Sequence, residues 1–226
     1  REVVWSARSQ VGRPYRETPV FTAKIKYLQF NPTWTVPPGI LAKDILPAVQ
    51  QDIGYLAAKN MDLVSRDGDK VDPASVDWSQ YGSGRMPPFQ FVQRPGPGNA
   101  LGRVKFIFPN SHFVFLHDTP SKALFERTER TFSSGCIRVE NPFEFAELLL
   151  DDPRKWNPES IQALLDSEKP QTVFLKEPLT VMLLYGTVGL LDDDVVYFYS
   201  DIYGRDSRVL ESLDSNFEFR MPDNMS

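Results

Sequence analysis

The stretch RVKFIFPNSHFVFLHD, residues 103–118, decides how the fold is read. Its first half sets Val104, Phe106 and Phe108 against Arg103, Lys105 and Ile107, the alternation of a half-buried strand. Its second half, HFVFLHD, is another strand-like run that follows the turn signal PNS. In an unbroken strand the five-residue spacing of His112 and His117 sends the two rings to opposite faces, so at most one can share a site with a third group. His117 stands where the strand gives way to DTP, and a strand end beside a loop is better placed for chemistry than mid-sheet.

Working outward, similar runs rich in Val, Ile, Phe and Tyr recur between turn signals: EVVWSA (2–7), TPVFTAKIKYLQF (18–30), QTVFLK (171–176), LTVMLLYGTVG (179–189) and DVVYFYSDIYG (194–204). They predict a frame that is mainly β, with the acidic run Asp192–Asp194 as a turn between strands. Two helices are readable against it. NPFEFAELLLDD begins with Asn141 as N-cap, Pro142 at the first helical position and Glu144 completing a capping box; NPESIQALLDSE repeats the Asn-Pro start at Asn157. Between about Pro37 and Asn99 the pattern changes to a helical stretch, ILAKDILPAVQQDIGYLAAKN, followed by polar, Gly- and Pro-rich sequence. The layout expected is a β domain of residues 1–38 and 100–226 interrupted by a smaller, partly helical subdomain at 39–99.

A chain of 226 residues with 41% hydrophobic and 24% charged residues can bury a sizeable core. The net charge of −5 and pI near 5.2 provide no basic surface for nucleic acid. No apolar run reaches the roughly 18 to 20 residues of a membrane span, and REVVWSARSQ lacks the apolar core of a signal peptide. One cysteine excludes an internal disulfide. Two histidines, one cysteine and no His-Glu-x-x-His argue against zinc. RDGDKVD lacks the glycine and glutamate positions of a calcium loop, and GPGNALG lacks the Gly-Lys-Ser/Thr of a phosphate loop.

The lone thiol lies in RTFSSGCIRVENP, residues 130–142, among small residues that form no apolar pocket. Gly135 permits an unusual backbone conformation and close approach of a substrate to main-chain N–H groups, which would serve as an oxyanion hole. A thiol beside an imidazole would be held as thiolate, and the pair suits acyl transfer. Arg138, two residues on, points to the same side in an extended segment. It either grips a substrate carboxylate or pairs with a protein carboxylate to fix the loop. The alternative for Cys136 is a small buried hydrophobe, and for His117 a satisfied structural histidine. Trp34, Trp78, Tyr81 and Phe89 either line a groove or belong to a core.

HDTPSKALFERTERTFSSGCIRVENP, with His117 nineteen residues before Cys136, resembles the active-site signature of the L,D-transpeptidases: a histidine, a variable linker, then Ser/Thr-x-Gly-Cys, an apolar residue and arginine. VGRPYRETPVF, NPTWTVPPGI, KDILP, PGPGNALGRVKFIFPN and DIYGRD resemble the long, cap-bearing branch found in Gram-negative bacteria, so the likeness covers nearly the whole chain. The resemblance implies a β-sandwich-like catalytic domain, with the inserted segment as a cap over the cleft. It implies a periplasmic enzyme, here an excised domain of a longer exported protein, that needs no metal or other cofactor. Its partners would be peptidoglycan stem peptides, a tetrapeptide donor and a diaminopimelate acceptor, joined through a thioester into 3→3 cross-links, and carbapenems would acylate it. By position, Cys136 is the nucleophile, His117 its base, and the N–H groups around Gly135 and Cys136 the oxyanion hole. Arg138, Ser134 and Ser133 meet substrate or order the loop. One departure is Ser134, where many members carry a second histidine. The competing readings are an L,D-carboxypeptidase and a catalytically silent wall-binding module.

Overall fold

The computed structural model describes residues 2–82, 84–190 and 195–214. Its strands in chain order are β1 Ser9–Gly12, β2 Phe21–Phe30, β3 Trp34–Thr35, β4 Met61–Val64, β5 Lys70–Val71, β6 Gln90–Gln93, β7 Val104–Ile107, β8 Leu116–His117, β9 Thr131–Ser133, β10 Ile137–Val139, β11 Gln171–Leu183, β12 Val188–Leu190 and β13 Val196–Phe198. The helices are α1 Pro38–Ile40, running through a π-helical turn Leu41–Ile45 into α2 Leu46–Gln51, then α3 Gly54–Ala58, α4 Pro142–Leu150, α5 Pro158–Asp166 and α6 Asp206–Asp214. Pro47 explains the π turn. It has no N–H to give the carbonyl four residues back, and the widened turn is closed by the Leu46 N–H bonding to Leu41 O.

Seven strands form one mixed sheet in the order β11-β2-β7-β8-β10-β1-β9. A sheet-rich frame with helices is what the alternating segments predict. The register follows that alternation: Leu28, Phe106, Leu116 and Ile137 are successive cross-strand partners and form an apolar row. Phe106 and Leu28 are fully buried beneath Phe145, Ala146 and Leu150 of α4 and Ile161 and Leu165 of α5. The offset row, Gln29, Lys105, His117, Arg138 and Gln10, carries polar side chains across the same four strands and on to β1.

The smaller sheet has the order β3-β6-β4-β5 and packs on α1 to α3 around Leu46, Val49, Leu56, Leu63 and Phe91. Its strands were not legible in a stretch read as helix and polar loop, because each runs only two to four residues. The first four residues of RDGDKVD form the turn joining β4 to β5, and its Lys70 and Val71 are β5. In this core Trp78 meets Phe89 and Phe91 edge-on, and Tyr81 meets Phe89 edge-on.

Several local expectations are corrected. EVVWSA is not a strand. Its Trp5 stacks on Phe145 at 4.6 Å and anchors an otherwise irregular, exposed segment. QTVFLK and the first five residues of LTVMLLYGTVG merge into one strand, with an irregularity between Phe174 and Leu179 where Pro178 removes a ladder donor, and Val188 and Gly189 begin β12. DVVYFYSDIYG contributes only β13, which pairs with β12. Asn141 does not cap α4 through its side chain. It adopts the left-handed conformation at φ 50°, and no capping box forms with Glu144. Asn157 does cap α5, in a capping box closed by Ser160. The run Asp192–Asp194 lies outside the described residues.

Candidate active site

HFVFLHD is not an unbroken strand, and this correction matters most. Asn110 organises a turn instead: its amide donates to the carbonyls of Phe108 and Val114, both at 2.7 Å, and its Oδ1 accepts from the His112 and Val114 N–H groups. Phe113 takes a positive φ of 55°. Only Leu116 and His117 remain as strand, and both histidines therefore line one cavity of about 370 Å³ together with Cys136, Arg138 and Arg16. The opposite wall comes from Trp34, Pro37, Gly39 and Ile40, at the start of the inserted stretch.

His117 is brought there by register. It faces Lys105 across β7 and Arg138 across β10. The ring is only 4% exposed, and its Nδ1 lies 2.5 Å from the carbonyl of Asp118. That contact places the proton on Nδ1 and leaves Nε2 as the basic nitrogen. Asp118 is fixed in turn: it accepts from the Arg103 N–H at 2.8 Å, pairs with Lys122 and packs against Gly102, where no side chain would fit. Burial, then the charges of Arg138 and Lys105, push the imidazole down to about 3, and the carbonyls of Asp118 and Leu101 offset this only in part.

Cys136 is half-buried and precedes β10. Burial raises its thiol, against a Phe115 main-chain N–H and the charges of Arg138 and Lys105, which favour the thiolate. Burial thus works against charge on both the thiol and the ring, and the two cations oppose a charged ring while favouring the thiolate.

The loop before Cys136 is built from Ser133. Its hydroxyl donates to the Cys136 carbonyl at 2.5 Å and accepts from the Gly135 N–H at 3.0 Å. Ser133, expected to meet substrate, spends its hydroxyl inside the loop, and the Gly135 N–H, expected in an oxyanion hole, is already bonded. The Cys136 N–H, by contrast, has no acceptor among the described residues. Gly135 sits at φ 113°, a conformation side chains rarely adopt, which this turn requires. Ser134 is exposed and accepts from Arg16 at 2.7 Å.

Arg138 donates to Gln10 Oε1 at 3.2 Å, while its buried Nε has no hydrogen-bond partner. No carboxylate pairs with it among the described residues, so of the two roles the sequence left open, the structure offers no protein carboxylate for the second. Burial lowers its pKa, with Arg13 adding to the effect. Sequence reasoning missed His112, Arg16 and Lys105. Only the register could have revealed Lys105, since its alternation with Phe106 places it beside His117 once β7 and β8 are paired.

Cys136 and His117 line one cavity, beside a main-chain N–H without an acceptor among the described residues and a guanidinium without a carboxylate partner, an arrangement chemically suited to acyl transfer. The family comparison agrees in class: the L,D-transpeptidase catalytic-domain model, YkuD, matches residues 1–166. The chain belongs to that family. It is 33% identical over 208 residues to a Haemophilus influenzae protein provisionally named an L,D-transpeptidase, a match covering 92% of this chain and 42% of that relative. The chain therefore spans well under half the length of the curated relative it matches.

Proposed function

We propose that this chain is the catalytic unit of a periplasmic peptidoglycan L,D-transpeptidase of the cap-bearing branch, with residues 39–99 as the cap. The observation that carries the reading is the meeting of Cys136, His117 and the unpaired Arg138 in one cavity. The donor is a tetrapeptide stem, its carboxylate facing Arg138. The Cys136 sulfur attacks the carbonyl between diaminopimelate and the terminal D-alanine while its proton passes to His117 Nε2. The resulting oxyanion lies against the Cys136 N–H, a donor worth on the order of 3 kcal/mol to such a transition state. The C–N bond then breaks, D-alanine leaves as the amine with the proton held by His117, and a thioester remains. The side-chain amine of diaminopimelate on a second stem attacks that thioester. Its proton returns through His117 to the sulfur, and the 3→3 cross-link is released.

The lowered proton affinity of His117 supports this order, because the ring enters as the unprotonated base that the first step needs. The wall from Trp34 to Ile40 supports the role of the inserted stretch in excluding water, which favours transfer over hydrolysis. The test is incubation with disaccharide-tetrapeptide, with products resolved by mass spectrometry. A 3→3 dimer that disappears in Cys136→Ala is expected. Tripeptide alone indicates the carboxypeptidase. No product, together with no one-to-one carbapenem adduct on folded protein, indicates the silent module and overturns the proposal.

A further inference from the structure

The loop that carries Cys136 is held from a part of the chain beyond the residues that match the family. The Tyr203 hydroxyl donates to Gly12 O at 2.7 Å and accepts from the Thr18 N–H at 3.3 Å. The Thr18 hydroxyl accepts from the Gly12 N–H and donates to Gly135 O, both at 2.9 Å. A chain of hydrogen bonds therefore runs from Tyr203 through Thr18 to the carbonyl joined to Cys136.

Tyr203 is itself well fixed. Its ring stacks on Tyr185 at 5.1 Å, and its N–H donates to the Tyr185 hydroxyl at 3.2 Å. That hydroxyl donates to Asp201, whose carboxylate also accepts from the Arg205 and Asp206 N–H groups, both at 2.9 Å. Arg205 lies over both tyrosine rings and pairs with Glu17, whose carbonyl borders Gly135.

The consequence follows from peptide planarity. The Gly135 carbonyl and the Cys136 N–H belong to one trans peptide unit, so they point in opposite directions and turn together. Anchoring the carbonyl sets the direction of the N–H, and a hydrogen bond accepted by the carbonyl also polarises the N–H. Gly135, with its broad conformational freedom, would otherwise let that plane rotate. We propose that Thr18 and Tyr203 are positioning residues, which aim the Cys136 N–H at the developing oxyanion by holding the Gly135 carbonyl. This rests on the acyl-transfer reading above for its chemistry, but not for its geometry.

The test compares Thr18→Val, Thr18→Ser and Tyr203→Phe with the parent chain by three measurements: tetrapeptide turnover, alkylation of Cys136 by iodoacetamide, and hydrogen exchange of a peptide covering residues 133–137. Alkylation needs the thiol but no oxyanion donor. Thr18→Val is expected to lose about tenfold to a hundredfold in kcat with KM within about twofold, because the donor is misaimed and not deleted. Its alkylation rate should stay within about twofold, exchange in the loop should rise, and Thr18→Ser should restore both. Tyr203→Phe should shift the same readouts less. Unchanged kcat and exchange in folded Thr18→Val overturn the proposal. So does a parallel fall in turnover, alkylation and melting temperature that serine does not rescue. If the parent chain turns over no tetrapeptide, the functional reading fails, and loop exchange in Thr18→Val alone decides the positioning role: a rise supports it and no change overturns it.

Discussion

Replacing Lys105 by Met should raise the pKa of Cys136. Lys105 has no ion-pair partner among the described residues, and its ammonium stands over the Phe115 ring at 5.1 Å. β7 and β10 flank β8, so Lys105 lies two strand spacings from the start of β10, about 10 Å at ~4.8 Å each. At an effective dielectric of about 20, a unit charge at that distance is worth roughly 1.7 kcal/mol, or about one pKa unit. The sign is fixed by chemistry: a cation favours thiolate, so its loss favours thiol. Met keeps the length of the side chain and its contact with Phe115. The assay is the second-order rate of Cys136 alkylation by iodoacetamide from about pH 7 to about pH 11.5, a range that reaches past the raised thiol, followed by mass spectrometry. The midpoint should move up by about one unit, and the rate below the midpoint should fall roughly tenfold. A midpoint that stays, or moves down, in folded Lys105→Met would refute the electrostatic role of the row.

His117, held near 3 in the fold against an ordinary value of 6.5, binds its proton in the unfolded chain first. Stability from this group is therefore complete above about pH 6.5 and lost as pH falls toward 3, and His117→Gln should flatten that part of a melting-temperature profile. Asn157→Ala should cost about 1 kcal/mol, roughly 2–4 °C in melting temperature, by opening the capping box, whereas Asn141→Gly should cost little because no cap bond is lost and glycine accepts φ 50°. Exchanging Arg138 and Gln10 together for Met removes a buried guanidinium and its one side-chain partner. Melting should hold within a few degrees while turnover is lost, and a large drop in melting temperature would show Arg138 to be a structural residue.

Much of this was legible in the sequence wherever side chains alternate over enough residues. The long β2, the alternation through β7, and the Asn-Pro start of α5 were all readable, because burial of one face leaves a period in the chain. The short strands of the smaller sheet leave no such period. HFVFLHD misled for a related reason: four consecutive apolar residues imitate a strand, yet Asn110 uses its side chain to satisfy the backbone locally, and Phe113 turns the chain. That single turn carries His112 to the same cavity as His117. In the loop, Gly135 and Cys136 were conspicuous by residue type, but the destination of the Gly135 N–H depends on how Ser133 folds back, which no spacing encodes.

The polar row makes sense only with the site in view. Five polar side chains cross the strands of a sheet whose neighbouring row is apolar, with Gln10 fully buried and Arg138 leaving a buried N–H unbonded. Burying such groups costs stability unless they are fully partnered. Hydrophobic residues in the same places would pack a better sheet. What the row supplies is a desolvated imidazole between two cations that disfavour its protonation and favour ionisation of the Cys136 thiol. A slip of one residue in β8 would exchange His117 for Leu116 and bury the ring in the core. The apolar row beneath, locked by Phe106 against α4, therefore does more than stabilise the fold: its register determines which side chain faces the cavity.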